Sequence, residues 1–370
     1  MEGGDGGWLR QRGQEGWDPW EWEGLGWRGG AGEAVGGCLV RRSLGARGGG
    51  RARKLGGGIE RRRVVSKAYA FTAFGGPDGQ AFVERPVPVP GVGELLVEVR
   101  AAGVNPVDWK VRRGLLGREV PLPHVFGGEV AGVVRGLGDG VAGFAVGDPV
   151  FGRPLAGGYA EHTLLAAGEA ARVPDGVSAV QAAALPVAAG TAYDALAQLG
   201  LAAGETVLVL GVAGGVGSVA AQLARRAGLV VLGTASEGKR AYVESLGARA
   251  VAYGEDVAER VRAAAPGGVD GLLDLVGGDD LRAVAPLLRP PGRLVSTVDP
   301  VTAVELDGAF VRRTHGAETL VALAALVAAG ELDPMVGQTY PLAEAGRALA
   351  EVEAGHARGK VVLLVPGGAE

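Results

Sequence analysis

Residues 207–228 read VLVLGVAGGVGSVAAQLARRAG. An apolar run that suits a strand buried on both faces breaks into glycines, and an alanine- and leucine-rich pattern at helical spacing follows. Gly211, Gly214 and Gly217 stand at G-x-x-G-x-x-G spacing between the two. Glycines there let the backbone turn tightly and come close to a pyrophosphate. The helix beyond them offers N–H groups without partners and the positive end of its dipole. In a chain with 68 glycines the triplet alone says little; its strand–turn–helix setting gives it weight. We read this turn, with Gly215 and Val216 inside it, as the seat of a dinucleotide. Gly214, Val216 and Gly217 are assigned to the pyrophosphate by backbone contact.

The next strand ends VVLGTASEGKR, residues 230–240. An NAD site wants a carboxylate at that end, to bond the ribose 2′-hydroxyl. Here Thr234 takes the place, followed by Ser236, Lys239 and Arg240. A carboxylate about 4 Å from a 2′-phosphate would oppose it by several kcal/mol at intermediate dielectric. A charge-assisted bond to it contributes roughly 1.5–3 kcal/mol. The residues therefore point to NADPH, with the nearby Glu237 expected to face solvent.

Further out, apolar strands alternate with helical stretches on the C-terminal side: KRAYVESLGA, AVAYG, VDGLLDLVG, GRLVSTV, ETLVALAALVAAG and a closing GKVVLLV. Alternation of this kind implies a doubly wound parallel sheet. On the N-terminal side, KAYAFTAFG, ELLVEVRAAGV, EVAGVVRGLG and GDPVFGR are short β-like pieces punctuated by Gly and Pro. The fold class expected is α/β, a Rossmann sheet inserted in a β-rich domain. The divisions expected are 1–66, 67–188, 189–312 and 313–370.

The first 66 residues do not belong to this pattern. They hold five of the six tryptophans and 12 Lys and Arg against 8 Asp and Glu, leaving 25 against 33 in the rest. Such a Gly/Arg-rich segment buries too little apolar area to offset its ordering entropy. A signal peptide lacks its continuous apolar stretch, a transit peptide would be poorer in acids, and a basic arm for nucleic acid is the third reading. We expect an upstream extension of the reading frame, disordered or spurious, with Val64 or Val65 at an alternative start. The net charge of −4, and the acidic remainder, give no reason to expect nucleic acid or a membrane surface. One cysteine, Cys38, and no apolar run of spanning length fit the cytoplasm.

Four stretches, AAGVNPVDWKVRRG, LPVAAGTAYDAL, the glycine turn with GTASEGK, and GHARGKVVLL, together resemble the medium-chain dehydrogenase/reductase superfamily. The resemblance is to its zinc-independent, zeta-crystallin-like quinone oxidoreductases. It implies a GroES-like catalytic domain interrupted by the Rossmann domain, with the C-terminal segment returning to the first, and a homodimer. It places Asn105 and Asp108 beside the nicotinamide, and Thr191 close to it. Lys239 and Tyr253 fall at the adenosine 2′-phosphate, and Ser296 and Val298 at the strand end that meets the ring. Lys360 lies in the closing stretch near the cofactor. Where quinone reductases often carry tyrosines, this chain has Lys110 and Leu116.

Zinc-dependent relatives use cysteine, histidine and an acidic ligand. By resemblance, Asn105 falls near the place of the first ligand cysteine and Gly128 at that of the histidine. The four histidines, His124, His162, His315 and His356, make no short-spaced pair. No metal is expected. Without one, a secondary alcohol is hard to oxidise, whereas a quinone or α,β-unsaturated carbonyl takes hydride directly. Asn105 would position the carboxamide or the substrate oxygen. Asp108 would fix the Asn105 side chain or a water, and Trp109 would wall an aromatic substrate. The proton would come from water through Lys110 or Tyr159. Ser218, at the helix start, reads as a cap rather than a nucleophile. The partner expected is a small electrophilic molecule. Rival readings are an enoyl thioester reductase and a cofactor-binding protein without enzymatic role.

Overall fold

The computed structural model describes residues 65–314, 316–355 and 357–366. The expected extension up to residue 64, with Cys38, lies outside them, as do His315 and His356. The boundary expected after residue 66 shifts slightly, because Val65 and Ser66 already belong to the first strand.

Ten strands build the β-rich part: β1 (Val65–Phe71), β2 (Gln80–Pro86), β3 (Glu94–Val104), β4 (His124–Val125), β5 (Val130–Leu137), β6 (Pro149–Gly152), β7 (His162–Ala166) and β8 (Ala171–Arg172), then β15 (Val336–Pro341) and β16 (Lys360–Leu364) near the C-terminus. A small sheet runs β2-β1-β4; the larger runs β15-β16-β3-β5-β6-β8, with β7 also on β3. β16 pairs antiparallel with β3, Val361 opposite Val104. That pairing brings Lys360 to the end of β3, just where Asn105 follows. Phe71, Leu95, Val97, Val130, Val150, Tyr159 and Leu165 form the core between these strands.

Between β8 and β15 lie six parallel strands: β9 (Thr206–Leu210), β10 (Val230–Ala235), β11 (Arg249–Ala252), β12 (Val269–Asp274), β13 (Leu288–Ser296) and β14 (Ala309–Phe310). Their spatial order is β11-β10-β9-β12-β13-β14. The order reverses between β9 and β12, so the crevice at the carboxyl ends of these strands is the topological switch point, where such sheets bind ligands. Val207, Leu208, Val209 and Leu210 are wholly buried. Burial on both faces is why β9 reads as an unbroken apolar run rather than an alternating one.

Six strands, β2, β4, β7, β8, β14 and β15, escaped the sequence reading, and the last two show why. β14 is a two-residue edge strand, and β15 reads VGQTYP, mostly exposed and polar. Both exist because a neighbour offers a ladder, not through propensity of their own.

Candidate active site and cofactor cleft

The glycine turn takes the shape its spacing suggested. Gly211 has φ +79°, which favours glycine, and its N–H donates to Thr234 Oγ1 at 3.0 Å. The helix Gly215–Arg226 starts three residues before Ser218, with Gly214 as its N-cap. Ser218 is therefore no cap; its hydroxyl donates back to Gly214 O at 2.7 Å. At Gly217 a Cβ would lie 2.5 Å from Gly211 O and 2.6 Å from Val212 Cα, so only glycine lets this helix press onto the turn. Gly233 is closed in the same way by Val212 Cγ1, 2.4 Å from where its Cβ would be. The first N–H groups of the helix, at Gly215, Val216 and Gly217, have no partner inside it and face the crevice end of the sheet. The turn fits a pyrophosphate.

At the end of β10, Thr234 is buried with its hydroxyl spent on the glycine turn, so it stabilises the turn rather than facing a ribose. Ser236 is half-buried and caps nothing. Glu237 is exposed, as expected, and clamped by Arg240 at 2.6 and 2.8 Å. Lys239 Nζ donates to Ala357 O at 3.1 Å, and burial together with Arg358 pulls its pKa down. Arg358, which the sequence reading passed over, lies 5.3 Å above the Tyr242 ring. Tyr253 is exposed one residue past β11. This end of the cleft is thus cationic.

The other end is a buried polar network. Asn105 precedes the helix Pro106–Arg112, and its backbone N–H donates to Asp108 Oδ2 at 2.9 Å. Its side-chain amide donates to Glu129 Oε1 at 2.9 Å and accepts from Lys360 Nζ at 2.8 Å. Lys360 Nζ also bonds Val104 O and pairs with Glu129 Oε1 at 2.8 Å. Glu129 Oε2 takes the Val187 N–H at 2.7 Å. Lys360 is 3% exposed and Glu129 0%, so neither charge meets water. Lys360 thus acts through Asn105 and is not placed to hold a cofactor phosphate. Glu129 was missed from sequence; the signal available was a lone acid opening an otherwise apolar strand, in GGEVAGVV.

The Asp108 carboxylate fixes the Asn105 backbone and not its side chain, which corrects the first of the two tasks expected of it. Its Oδ2 also accepts from Tyr159 Oη at 2.8 Å. Burial raises the Asp108 pKa to about 6, against the opposing pull of its hydrogen bonds and Lys360. Burial and the Asp108 charge push Tyr159 well above the usual tyrosine range. Tyr159 is 0% exposed, so it is not placed to pass a proton outward, contrary to its expected role. Lys110 stays half-buried, with Nζ 5.8 Å from the Trp109 ring centre. Trp109 packs against the β-domain core, and Arg113 covers its ring at 5.6 Å.

Thr191 is buried; it donates to Val187 O and accepts from Arg313 Nη1, a partner not foreseen. Ser296 is also buried. Its hydroxyl donates to Asp274 Oδ2 at 2.6 Å and accepts from the N–H groups of Val298 and Asp299. Ser296 therefore shapes the loop after β13, and the half-buried Val298 backs onto Gly277.

A family model described as Alcohol dehydrogenase GroES-like domain matches residues 91–175, and one described as Zinc-binding dehydrogenase matches 246–363. The quinone oxidoreductase of Homo sapiens is 32% identical over 81% of this chain and 98% of its own. A 2-methylene-furan-3-one reductase of Solanum lycopersicum is 35% identical over 80% and 78%. Among solved structures, the quinone oxidoreductase from Coxiella burnetii superposes with a TM-score of 0.76 at 32% identity, over 82% of this chain and 100% of that one. The chain belongs to the medium-chain dehydrogenase/reductase superfamily. Within it, the chain falls in the quinone oxidoreductase branch, and it is an oxidoreductase of a family that works with a nicotinamide cofactor.

Since one matching model carries zinc in its description, the fit of the residues matters. By the resemblance, Asn105 and Gly128 correspond to ligand positions of zinc-dependent relatives, and in this structure the Lys360 ammonium bonds the Asn105 side chain. An amide, a glycine and a cation do not make a zinc site. Among the described residues no three His, Cys, Asp or Glu group to hold a metal ion, and no helix is long and apolar enough to cross a membrane.

Proposed function

We propose that this chain is an NADPH-dependent, zinc-independent reductase of quinones or α,β-unsaturated carbonyls. The observation that carries the reading is the locked set of Asn105, Glu129 and Lys360 at the head of the cleft. It supplies a fixed amide donor and no metal ligands, which suits an acceptor already poor in electrons. NADPH, when bound, supplies hydride from C4 of its nicotinamide. Asn105 gives one amide hydrogen to Glu129 and keeps a second, in an orientation the lysine dictates. That second hydrogen is the donor for the carboxamide or for the oxygen that gains charge. With Tyr159 committed to Asp108, proton delivery falls to water, with Lys110 as the remaining carrier. The cations Lys239 and Arg358 support a 2′-phosphate, and no carboxylate ends β10. A homodimer belongs to the same reading, and light scattering checks it.

The test is consumption of NADPH, against NADH, with a panel of quinones, enals, saturated ketones and alcohols, with and without chelator. Turnover should be confined to the first two classes, prefer NADPH and ignore the chelator. Silence with every acceptor, or activity that a chelator removes and zinc restores, defeats the reading. Asn105→Ala should lower kcat more than NADPH affinity; unchanged turnover removes Asn105 from the chemistry.

A further inference from the structure

Val187 is held from two sides. Its N–H donates to Glu129 Oε2 at 2.7 Å, inside the network that fixes Asn105 and Lys360. Its carbonyl accepts from Thr191 Oγ1 at 2.5 Å and from Arg313 Nη1 at 3.4 Å. Its side chain reaches Gly128, with Cγ2 3.8 Å from where a Cβ would stand there. The residue sits in the turn Leu185–Ala189, where the Gly190 N–H is shared between Val187 O and Leu185 O, the latter five residues back. Turns of that width are rare and recur at functional sites.

Arg313, three residues past β14, grips this turn on its second side. Nη2 donates to Pro186 O at 3.0 Å, Nη1 to Thr191 Oγ1 at 2.5 Å and Nε to Asp194 Oδ2 at 2.9 Å. The Asp194 carboxylate is 3% exposed and is held in its turn by the N–H and hydroxyl of Thr314, at 3.0 and 2.8 Å. A guanidinium fixed by a carboxylate presents its other donors in set directions. The sequence leaves room for it: a Cβ at Gly190 would lie 2.7 Å from Arg313 Nη2. Glycine is a poor residue for the start of the helix Gly190–Leu199, and here it admits the arginine.

Glu129 is 0% exposed, so no water replaces the Val187 N–H if the turn moves. The carboxylate would then keep donors on one oxygen only and be free to rotate, and the Asn105 amide bonded to it would rotate too. We infer that Arg313 is a positioning residue for the reduction. By holding the turn around Val187 it fixes the Glu129 carboxylate and, through it, the direction of the free Asn105 amide hydrogen. The inference rests on the reductase reading for the task of Asn105, but not for the hold on Val187.

The test measures NADPH turnover with 1,4-naphthoquinone and trans-2-hexenal, and amide hydrogen exchange at Val187 without either. Arg313→Met should lower kcat about tenfold or more, the size of one charge-assisted bond, with the KM for NADPH within about twofold of the wild type. Arg313→Lys keeps a charge on Asp194 without the fork and should restore part of the turnover. Gly190→Ala pushes the guanidinium tip off the turn while keeping its charge, and alanine favours the helix. It should therefore lower kcat with Tm unchanged or higher, a split that a merely structural arginine does not give. It also carries the test if Arg313→Met, which strands Asp194, does not fold. As a control, Arg293→Met releases the far end of the same helix from Gly200 O and Glu205. That variant should lose Tm and keep kcat.

Exchange at the Val187 amide should be faster in Arg313→Met and Gly190→Ala and unaltered in Arg293→Met. Unaltered exchange in the first two overturns the inference. So does faster exchange with full turnover, or a loss of kcat that Arg293→Met shares. If the wild type reduces no acceptor, the reductase reading falls by itself. Faster exchange in the first two variants then upholds the hold of Arg313 on the turn, and unaltered exchange overturns that as well.

Discussion

The two ends of the cleft are built on opposite plans. At the end around Asn105 the polar groups are buried, paired and drawn from distant stretches; the Lys360–Asn105 bond joins residues 255 apart in sequence. At the end around Lys239 the cations lie near the surface, and Ser236, Lys239 and Tyr253 come from two successive βα units. The first end holds charges in one geometry whatever its ligand. The second leaves charge half in water, where a phosphate can reach it. A buried ion pair adds little stability by being there but is costly to break on one side. An exposed cation is nearly neutral for folding and acts on whatever binds.

The widest separation between the two plans should come from Lys360→Met. It leaves Glu129 buried and uncompensated, which costs about 3–5 kcal/mol. It also frees the Asn105 amide to turn over. Urea unfolding should show the loss, and kcat should fall even under conditions where the variant is fully folded. Replacing both partners, Lys360→Met with Glu129→Leu, should recover much of the stability but not the turnover. Recovery of both would mean that the pair serves only the fold.

Next in size is a pH effect confined to the buried end. Asp108 has a pKa of about 6 when folded, raised by burial. Its unfolded value is about 3.9. Between these values the folded chain binds more protons than the unfolded one, so stability falls as pH rises. The favourable contribution is fully present below about pH 4 and lost by the time pH has risen through 6. A shift of this size corresponds to about 3 kcal/mol. Asp108→Asn keeps an acceptor for the Asn105 N–H and the Tyr159 hydroxyl and should flatten the stability profile between pH 4 and 6. An unaltered slope would place the titration elsewhere.

Gly217→Ala lies between the two ends and tests the turn that joins them. A methyl 2.5 Å from Gly211 O forces the helix off the turn. Overpacking of this kind costs about 1–3 kcal/mol. The displaced N–H groups should weaken NADPH and NADH alike, since both carry the pyrophosphate. A variant that loses only NADPH would contradict the assignment of this turn.

What the sequence disclosed follows the same division. The strand–turn–helix of residues 207–228 was readable because its pattern is local: burial on both faces makes the strand apolar, and close approach makes the glycines obligatory. Lys239 was singled out from the same local stretch and Tyr253 through the family resemblance, and the cofactor role of both belongs to the proposal. Glu129, Arg313 and the true partner of Lys360 were not readable, since their roles arise only when β16 lies beside β3 and the segment around Val187 comes over β5. Tyr159 and Asp108 do lie together beside Asn105, but Tyr159 is buried on Asp108 instead of carrying a proton outward. Nothing in the spacing says that a tyrosine 51 residues away will spend its hydroxyl on that carboxylate.

The smallest effect on folding, and the sharpest on selectivity, belongs to the exposed end. Arg358 is exposed and Lys239 lies only partly buried near the surface, so Arg358→Ala and Lys239→Ala should each change stability by no more than about 0.5 kcal/mol. Each should raise the KM for NADPH by about tenfold, the lower end of a charge-assisted bond, and leave the KM for NADH almost where it was. The double variant should lose NADPH preference without losing turnover, because the hydride-side residues are untouched. Arg358→Glu goes further: a carboxylate near the 2′-phosphate repels it and tolerates a bare hydroxyl, so the preference should move toward NADH. If the double variant still favours NADPH, the cations at the end of β10 are solvated surface charge, and the contrast between the two ends is one of burial alone.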